Sequence, residues 1–445
     1  MKKLTPISGF PEFLPEEQIV IQSVLDTMRA VYEKFGFVPI ETPAVERVEH
    51  LLEKGLQGKE VYLLRRLQEE EIGPSDLALH FDLTVPLARY VAQHYGKLTF
   101  PFKRYQIQPV WRGERPQAGR YRQFYQSDID VIGDGTLSLI FDAEICAVID
   151  AVFTQMQIGP FSIRLNHRKI LQGVLGSVGI SEQPLVHQAI KIVDEIEKQP
   201  LEKTAEAFER LGLNRKDCSS LLEFFSLSGS PDAVLKRLSS LSISTAFEAG
   251  VQDLREVVKG MQMLRVPDER YTIDVKIARG LDYYTGTVYE TTLQTHPQLG
   301  SICSGGRYDD LTGVFLDRKL PGVGTSIGVT RLIPQLMKEG ILKPKGAAIA
   351  PILVTMQNPA HLSRYLEIAS RLRARGMATE AYLERKSLGA QLRYADKKGF
   401  QLVLIADDPE FQQEKVLVKK MQTGEQKEVF LQTLEESISS MLSSK

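Results

Sequence analysis

Apolar residues recur at helical spacing early in the chain. Ile19, Val20, Val24, Met28 and Val31 fall on one side of a 3.6-residue turn and predict a helix over residues 15–35. Pro15, Glu16 and Glu17 suit its first turn, and Gly36 ends it. Residues 37–43 read as a short extended piece punctuated by prolines. Strand-like patterning returns over 77–83, 103–112, 122–132, 271–278 and 286–293. Helix-like connections separate these runs without a regular βαβ rhythm. That predicts an α+β domain with a mostly antiparallel sheet and flanking helices.

Over roughly 180–262 the pattern is helical throughout, broken at Ser226-Leu227-Ser228-Gly229-Ser230-Pro231, and reads as a helical insertion. A linker, Lys343-Pro344-Lys345-Gly346, closes the first domain, expected to span 1–342. Beyond it strands at 351–356, 377–383 and 400–406 alternate with helices at 359–375 and 387–398. A hairpin at 416–421 and 428–431 and a last helix follow. Such alternation predicts a separate α/β domain over 348–445.

A chain of 445 residues exceeds one ordinary core, which agrees with this division. The formal net charge of -1 supplies no global field for nucleic acid, so any such contact needs local patches. Cys146, Cys218 and Cys303 are far apart with no CxxC, which argues against disulfide and zinc frameworks and fits a reducing cytoplasm. The pattern predicts no signal peptide and no transmembrane stretch. Three chemistries fall away. Gly324-Thr325-Ser326-Ile327-Gly328 matches a nucleophile elbow, but only Glu339 and no Asp lies between it and His361, the one later histidine, which argues against that fold's order of acid and histidine. The glycines from Gly322 to Gly328 miss the dinucleotide spacing, and no P-loop occurs. The histidines show no metal-ligand spacing.

Residues 102–133 carry the most chemistry. Arg104, Gln106, Gln108 and Arg112 share one strand face, and Gln126, Asp128 and Asp130 share one on the partner strand. A polar face of this kind is either solvated or lines a polar pocket. The loop bearing Glu114, Arg115 and Arg120 favours the pocket, because guanidinium groups suit phosphate and carboxylate. The segment resembles motif 2 of class II aminoacyl-tRNA synthetases in its histidyl form. The resemblance implies that Arg112 bridges the amino-acid carboxylate and the α-phosphate. Glu114 and Arg120 would embrace the adenine and γ-phosphate ends of ATP, and Gln126 and Asp130 would hold histidine.

His80-Phe81-Asp82-Leu83-Thr84 reads as a half-buried strand with Asp82 and Thr84 on one face. It resembles the family segment whose acid and threonine hold the α-ammonium, with His80 where arginine is usual. Arg279-Gly280-Leu281-Asp282-Tyr283-Tyr284 resembles the signature of histidyl enzymes. It implies a catalytic Arg279 opposite Arg112, with Tyr283 and Tyr284 lining the imidazole pocket. Residues 304–309 resemble a second histidyl motif, which places Tyr308 near the imidazole. Residues 322–332 are similar to motif 3, which implies Arg331 on the γ-phosphate, with Thr330 where glutamate is common. Residues 39–43 match motif 1, the dimer segment, least well.

In the C-terminal domain Leu388, Leu392 and Ala395 are expected inward and Arg393, Lys397 and Lys398 outward. The domain resembles the family's anticodon-binding domain, and an exposed Tyr394 could stack on a base. Together the resemblance implies a histidine–tRNA ligase with ATP and Mg²⁺. Its partners would be L-histidine, tRNA(His) and a second copy of the chain, in the cytoplasm and without a membrane. The competing readings are a non-catalytic regulatory paralogue, a tRNA-binding sensor, or a plain RNA-binding protein.

Overall fold

The computed structural model describes residues 4–52, 60–66, 75–115, 120–197, 199–278, 284–309, 313, 315–344 and 346–443. Two compact units divide the chain: Met1–Glu12 with Ser23–Leu342, and Phe13–Gln22 with Lys343–Lys445.

Helix α1 (Pro15–Lys34) begins with Glu16 and Glu17 in its first turn, as expected. The larger unit then adds β1 (Val38–Pro39), β2 (Val45–Arg47), α2 (Val48–Leu52), β3 (Leu77–Leu79) and α3 (Thr84–His94). The long hairpin follows as β4 (Phe102–Trp111) and β5 (Gln123–Ile132), then α4 (Ile140–Met156), β6 (Phe161–His167) and α5 (Arg168–Ser177). Helices α6 (Gln183–Asp194), α7 (Leu201–Arg210), α8 (Arg215–Phe225), α9 (Pro231–Ser239) and α10 (Thr245–Met263) fill the stretch read as a helical insertion. β7 (Tyr271–Ile273), β8 (Thr287–Leu293), β9 (Ser301–Tyr308), β10 (Gly322–Gly328) and α11 (Val329–Lys338) complete the unit.

Among the described residues eight strands form one sheet, ordered β1-β4-β5-β10-β9-β8-β6-β7. The six inner strands from β4 to β6 pair antiparallel throughout. Short β1 and β7, inside the stretches read as extended and strand-like, add edges whose parallel pairing the sequence pattern did not signal. Strand period two gives this sheet two different faces. One lies under helices. The Tyr32 hydroxyl of α1 lies 2.8 Å from Ser127 Oγ on β5, and Lys103 on β4 donates to Glu144 on α4 at 2.8 Å. Arg307 on β9 reaches Asp142 on α4, with Nε 3.1 Å from each carboxylate oxygen, and also donates to the carbonyls of Leu137 and Ser138. Both side chains of that pair are buried, so Asp142→Ala would leave a guanidinium without its counter-charge. The expected loss is about 3–5 kcal/mol of unfolding free energy in denaturant titration.

In the larger unit two strands are shorter than their patterns suggest, as are those expected at 351–356 and 377–383 in the smaller one. Residues 80–83 are not strand. Asp82 Oδ1 accepts the backbone N–H groups of Thr84 and Val85, both at 3.2 Å, and so starts α3. Asp82 and Thr84 therefore share a helix entry rather than a strand face. β7 stops at Ile273 because Asp274 turns the chain, its Oδ1 accepting from Lys276 N at 3.0 Å.

The smaller unit holds β11 (Ile352–Val354), α12 (Leu362–Ala374), β12 (Thr379–Ala381), α13 (Leu388–Lys398) and β13 (Leu402–Ile405). A short α14 (Asp408–Gln412), β14 (Lys415–Lys420), β15 (Gln426–Phe430) and α15 (Leu434–Ser443) follow. Its sheet runs β12-β11-β13-β14-β15, parallel among the first three and antiparallel after. Ile352, Val354, Leu402, Leu404, Val416 and Val418 pack with Tyr365, Ile368 and Leu372 into a core of the unit's own. On α13, Arg393 and Lys397 are exposed as expected. Tyr394 and Lys398 are not free: Lys398 donates to Glu380 at 2.9 Å, the Tyr394 hydroxyl also bonds Glu380, and its ring packs on Tyr382.

Candidate active site

The sheet's other face is polar and lies in the larger unit. Register places Arg104 opposite Asp130, Gln106 opposite Asp128, and Gln108 opposite Gln126. Across β5, Asp130 faces Gly324, Asp128 faces Ser326 and Gln126 faces Gly328. One row further, Ser326 faces Ser304 and Gly324 faces Gly306. The glycines keep this floor open. A Cβ at Gly324 would overlap Asp130 Oδ1, and one at Gly306 would lie 2.8 Å from Tyr284 Cγ. The two aromatic and acidic side chains therefore lie against bare backbone.

Arg104 is fully buried, and its Nη2 lies 2.5 Å from Asp130 Oδ2. The Tyr308 hydroxyl donates to Asp130 Oδ1 at 2.9 Å. Burial lifts the Asp130 carboxyl to about 6, although Arg104 and Tyr308 both favour its charged form. Burial is also the main cause that raises the hydroxyls of Tyr308 and Tyr284, so both stay protonated donors near neutral pH.

Beside this floor opens a cavity of about 840 Å³, lined by Arg112, Arg120, Gln126, Ser304, Ser326 and Arg331 among others. Arg112 follows the last residue of β4. Its Nε donates to Phe81 O at 3.0 Å, and its guanidinium lies 5.2 Å from the Phe124 ring. Gln126 Nε2 donates to Ser326 Oγ at 2.7 Å, while its Oε1 has no hydrogen-bond partner among the described residues. Arg331 sits in the first turn of α11. Lys338 also lines the cavity, and Glu339 is the one acid among the lining residues. The field there suits phosphates and carboxylate.

The sequence-predicted residues thus fall into groups. Arg112, Arg120, Gln126 and Arg331 share the cavity. Asp130 and Tyr308 bond to each other on the same sheet face, with Tyr284 against Gly306. Asp82 is close enough for its charge to raise Asp128, Asp130 and Tyr284. Thr84, half-buried, opens α3. Glu114 is not among the lining residues, and its carbonyl accepts from Arg122 Nε at 3.2 Å. Arg279 and Tyr283 lie outside the described residues.

Sequence reasoning put Arg104 on the polar strand face but gave no site role to Arg104, Ser304 or Ser326. Arg104 could have been found from the hairpin register, which sets a lone buried arginine against Asp130. The two unusual positions are structural. His80 is buried, with Nε2 2.8 Å from Pro109 O, and burial lowers its pKa, so a neutral ring pins β4. The Thr330 hydroxyl accepts from Tyr125 N at 2.8 Å and fastens α11 to β5.

An antiparallel sheet with a guanidinium-lined cavity on its polar face, and motif-like segments on adjacent strands, defines a class II aminoacyl-tRNA synthetase. The family model "Histidyl-tRNA synthetase" matches residues 9–332, and "Anticodon binding domain" matches residues 348–441. The chain belongs to the histidyl-tRNA synthetase family. It is 45% identical to a histidine–tRNA ligase of Trichormus variabilis over 97% of this chain and 96% of the relative. A histidine–tRNA ligase of Clostridium tetani is 43% identical over 97% and 96%. The crystal structure of histidyl-tRNA synthetase from Nostoc sp. superposes with a TM-score of 0.92, at 44% identity over 99% of this chain and 100% of that one. A regulatory subunit/histidyl-tRNA synthetase from Bacillus halodurans shares the fold at 22% identity, with a TM-score of 0.73 over 88% and 97%.

Proposed function

We propose that this chain activates L-histidine with ATP and transfers it to the 3′ end of tRNA(His). The observation that carries this reading is the convergence of Arg112, Arg120 and Arg331 on one cavity, next to a buried Asp130–Tyr308 pair. The full-length likeness to histidine–tRNA ligases supports catalysis over the regulatory alternative, as does the second match across 348–441.

The histidine carboxylate attacks the α-phosphorus of ATP, forming histidyl-adenylate and releasing pyrophosphate. A ribose hydroxyl at the tRNA 3′ end then attacks the adenylate carbonyl and releases AMP. Neither step needs a protein nucleophile, and positioning with charge stabilisation suffices. Arg112 spans carboxylate and α-phosphate, with Arg279 opposite. Glu114 and Arg120 take the adenine and γ-phosphate ends, and Arg331 grips the γ-phosphate. Mg²⁺ would be held chiefly through the ATP phosphates and would supply counter-charge to them, with Glu339 the one acid among the described lining residues that could help hold it.

Asp82 and Thr84 hold the α-ammonium group. Gln126, Asp130, Tyr283, Tyr284 and Tyr308 enclose the imidazole. Buried donors and acceptors reject a side chain that cannot pair with them, which is the source of amino-acid choice. The catalytic domain spans 1–342 and the anticodon-binding domain 348–445. A homodimer in the cytoplasm is the expected setting, and among the described residues no helix is long and apolar enough to cross a membrane.

Charging of tRNA with radiolabelled amino acids tests the proposal. Histidine alone should enter the acid-precipitable fraction, and only with ATP present. Charging with another amino acid, or none with histidine, would refute it.

A further inference from the structure

Asp128 is a buried acid that the mechanism above does not use. It is 3% exposed, and its Oδ1 has no hydrogen-bond partner among the described residues. Strand parity points it to the same face as Gln126 and Asp130, between Gln106 on β4 and Ser326 on β10. Ser326 and Gln126 line the cavity, so Asp128 stands one row behind its floor. The charged and titratable groups around it come from every neighbouring element. β4 supplies Arg104, β5 supplies Asp130, and the entry to α3 supplies Asp82. Tyr32 on α1, Cys303 on β9 and Tyr284 also feel its charge, and all three carry raised pKa values, so they stay neutral near pH 7.

Asp82, Asp128 and Asp130 thus lie close enough to feel one another, and Arg104 is the guanidinium whose charge acts on both Asp128 and Asp130. Arg104 is committed to Asp130 at 2.5 Å and to Gln106 Oε1 at 3.4 Å. On the histidine reading, this face receives a ligand that brings an ammonium group and an N–H-bearing ring, and the unpartnered Oδ1 of Asp128 is an acceptor turned to that face. We propose that Asp128 is a further specificity-determining residue of the amino-acid site, whose carboxylate draws the ammonium and imidazole N–H groups of the substrate toward the sheet. This inference rests on the histidine reading given under Proposed function. Burial lifts Asp128 to about 7, partly offset by Arg104 and by a hydrogen bond with Ser326. Its charge is thus mostly absent at pH 6 and mostly present at pH 8.

The test compares wild type with Asp128→Asn, which is close in shape and uncharged at every pH. Histidine and ATP KM values are measured by ATP–pyrophosphate exchange at pH 6 and pH 8, with D128S as a second, smaller variant. At pH 8 the histidine KM of each variant should exceed wild type by roughly tenfold, the scale of one lost charge at short range. At pH 6 the enzymes should agree within about twofold, because wild-type Asp128 is then largely protonated. Titration of the substrate ring is common to all the enzymes and cancels in the ratio. ATP KM should stay near wild type throughout. A histidine KM ratio that is flat with pH, or an equal rise in ATP KM, means that Asp128 only packs the sheet and overturns the inference. If wild type itself shows no histidine-dependent exchange, the histidine reading fails instead.

Discussion

Arg112→Ala lowers histidine-dependent ATP–pyrophosphate exchange by about 100- to 1,000-fold, the range for losing one preorganised group that stabilises transition-state charge. Arg112 directly follows β4, where its Nε is anchored on Phe81 O and its guanidinium borders the cavity. That anchoring fixes the plane of the guanidinium before substrate arrives, so little reorganisation is needed as charge grows on the α-phosphate. The side chain is only half-buried, outside the hydrophobic core. Its removal should therefore leave the melting temperature within a few degrees of wild type, about what a side chain outside the core costs. The effect belongs in kcat and in the KM for both substrates, since the residue is placed to touch both. Loss of activity with unfolding, or exchange near the wild-type rate, would count against the role.

Deleting the chain from Lys343 onward should separate the two steps. The sheet, the cavity and the helices around them belong to Met1–Glu12 and Ser23–Leu342, and the smaller unit has its own core. Of that unit the deletion leaves only Phe13–Gln22. Exchange needs histidine, ATP and the cavity, and should persist within a few-fold of wild type. Charging also needs tRNA held in register, and two contact regions on one tRNA act by effective concentration. Losing one should reduce kcat/KM for tRNA by about 10²–10⁴-fold. Unchanged charging by the truncated protein would remove the anticodon-binding role from residues 348–445.

The hairpin that carries most of the site was legible because it obeys local rules. β4 and β5 alternate with period two over ten residues each, and both strands lie within one residue of their expected ends. The polar face was legible for the same reason. Its meaning was not, because β10 reaches β5 across almost 200 residues of chain. Without that pairing, the run from Gly322 to Gly328 looks like a turn or an elbow rather than the strip of bare backbone beside Asp130.

Residues 80–83 misled because their composition suits a strand, while the Asp82 carboxylate takes two backbone N–H groups and turns the chain into α3. Tyr394 misled in another way. A helical wheel shows which side a residue faces but not that Glu380, on strand β12, already holds its hydroxyl. Arg279 and Tyr283 still rest on resemblance alone, since they lie outside the described residues.

The measurement that bears most directly on the polar cavity is ATP–pyrophosphate exchange by the purified full-length protein, run with each amino acid in turn and without tRNA. Exchange that depends on histidine, and is at background with the other amino acids, is the expected result. Exchange absent with histidine, or equally strong with an amino acid lacking a ring N–H, would contradict the assignment of this sheet face to histidine activation.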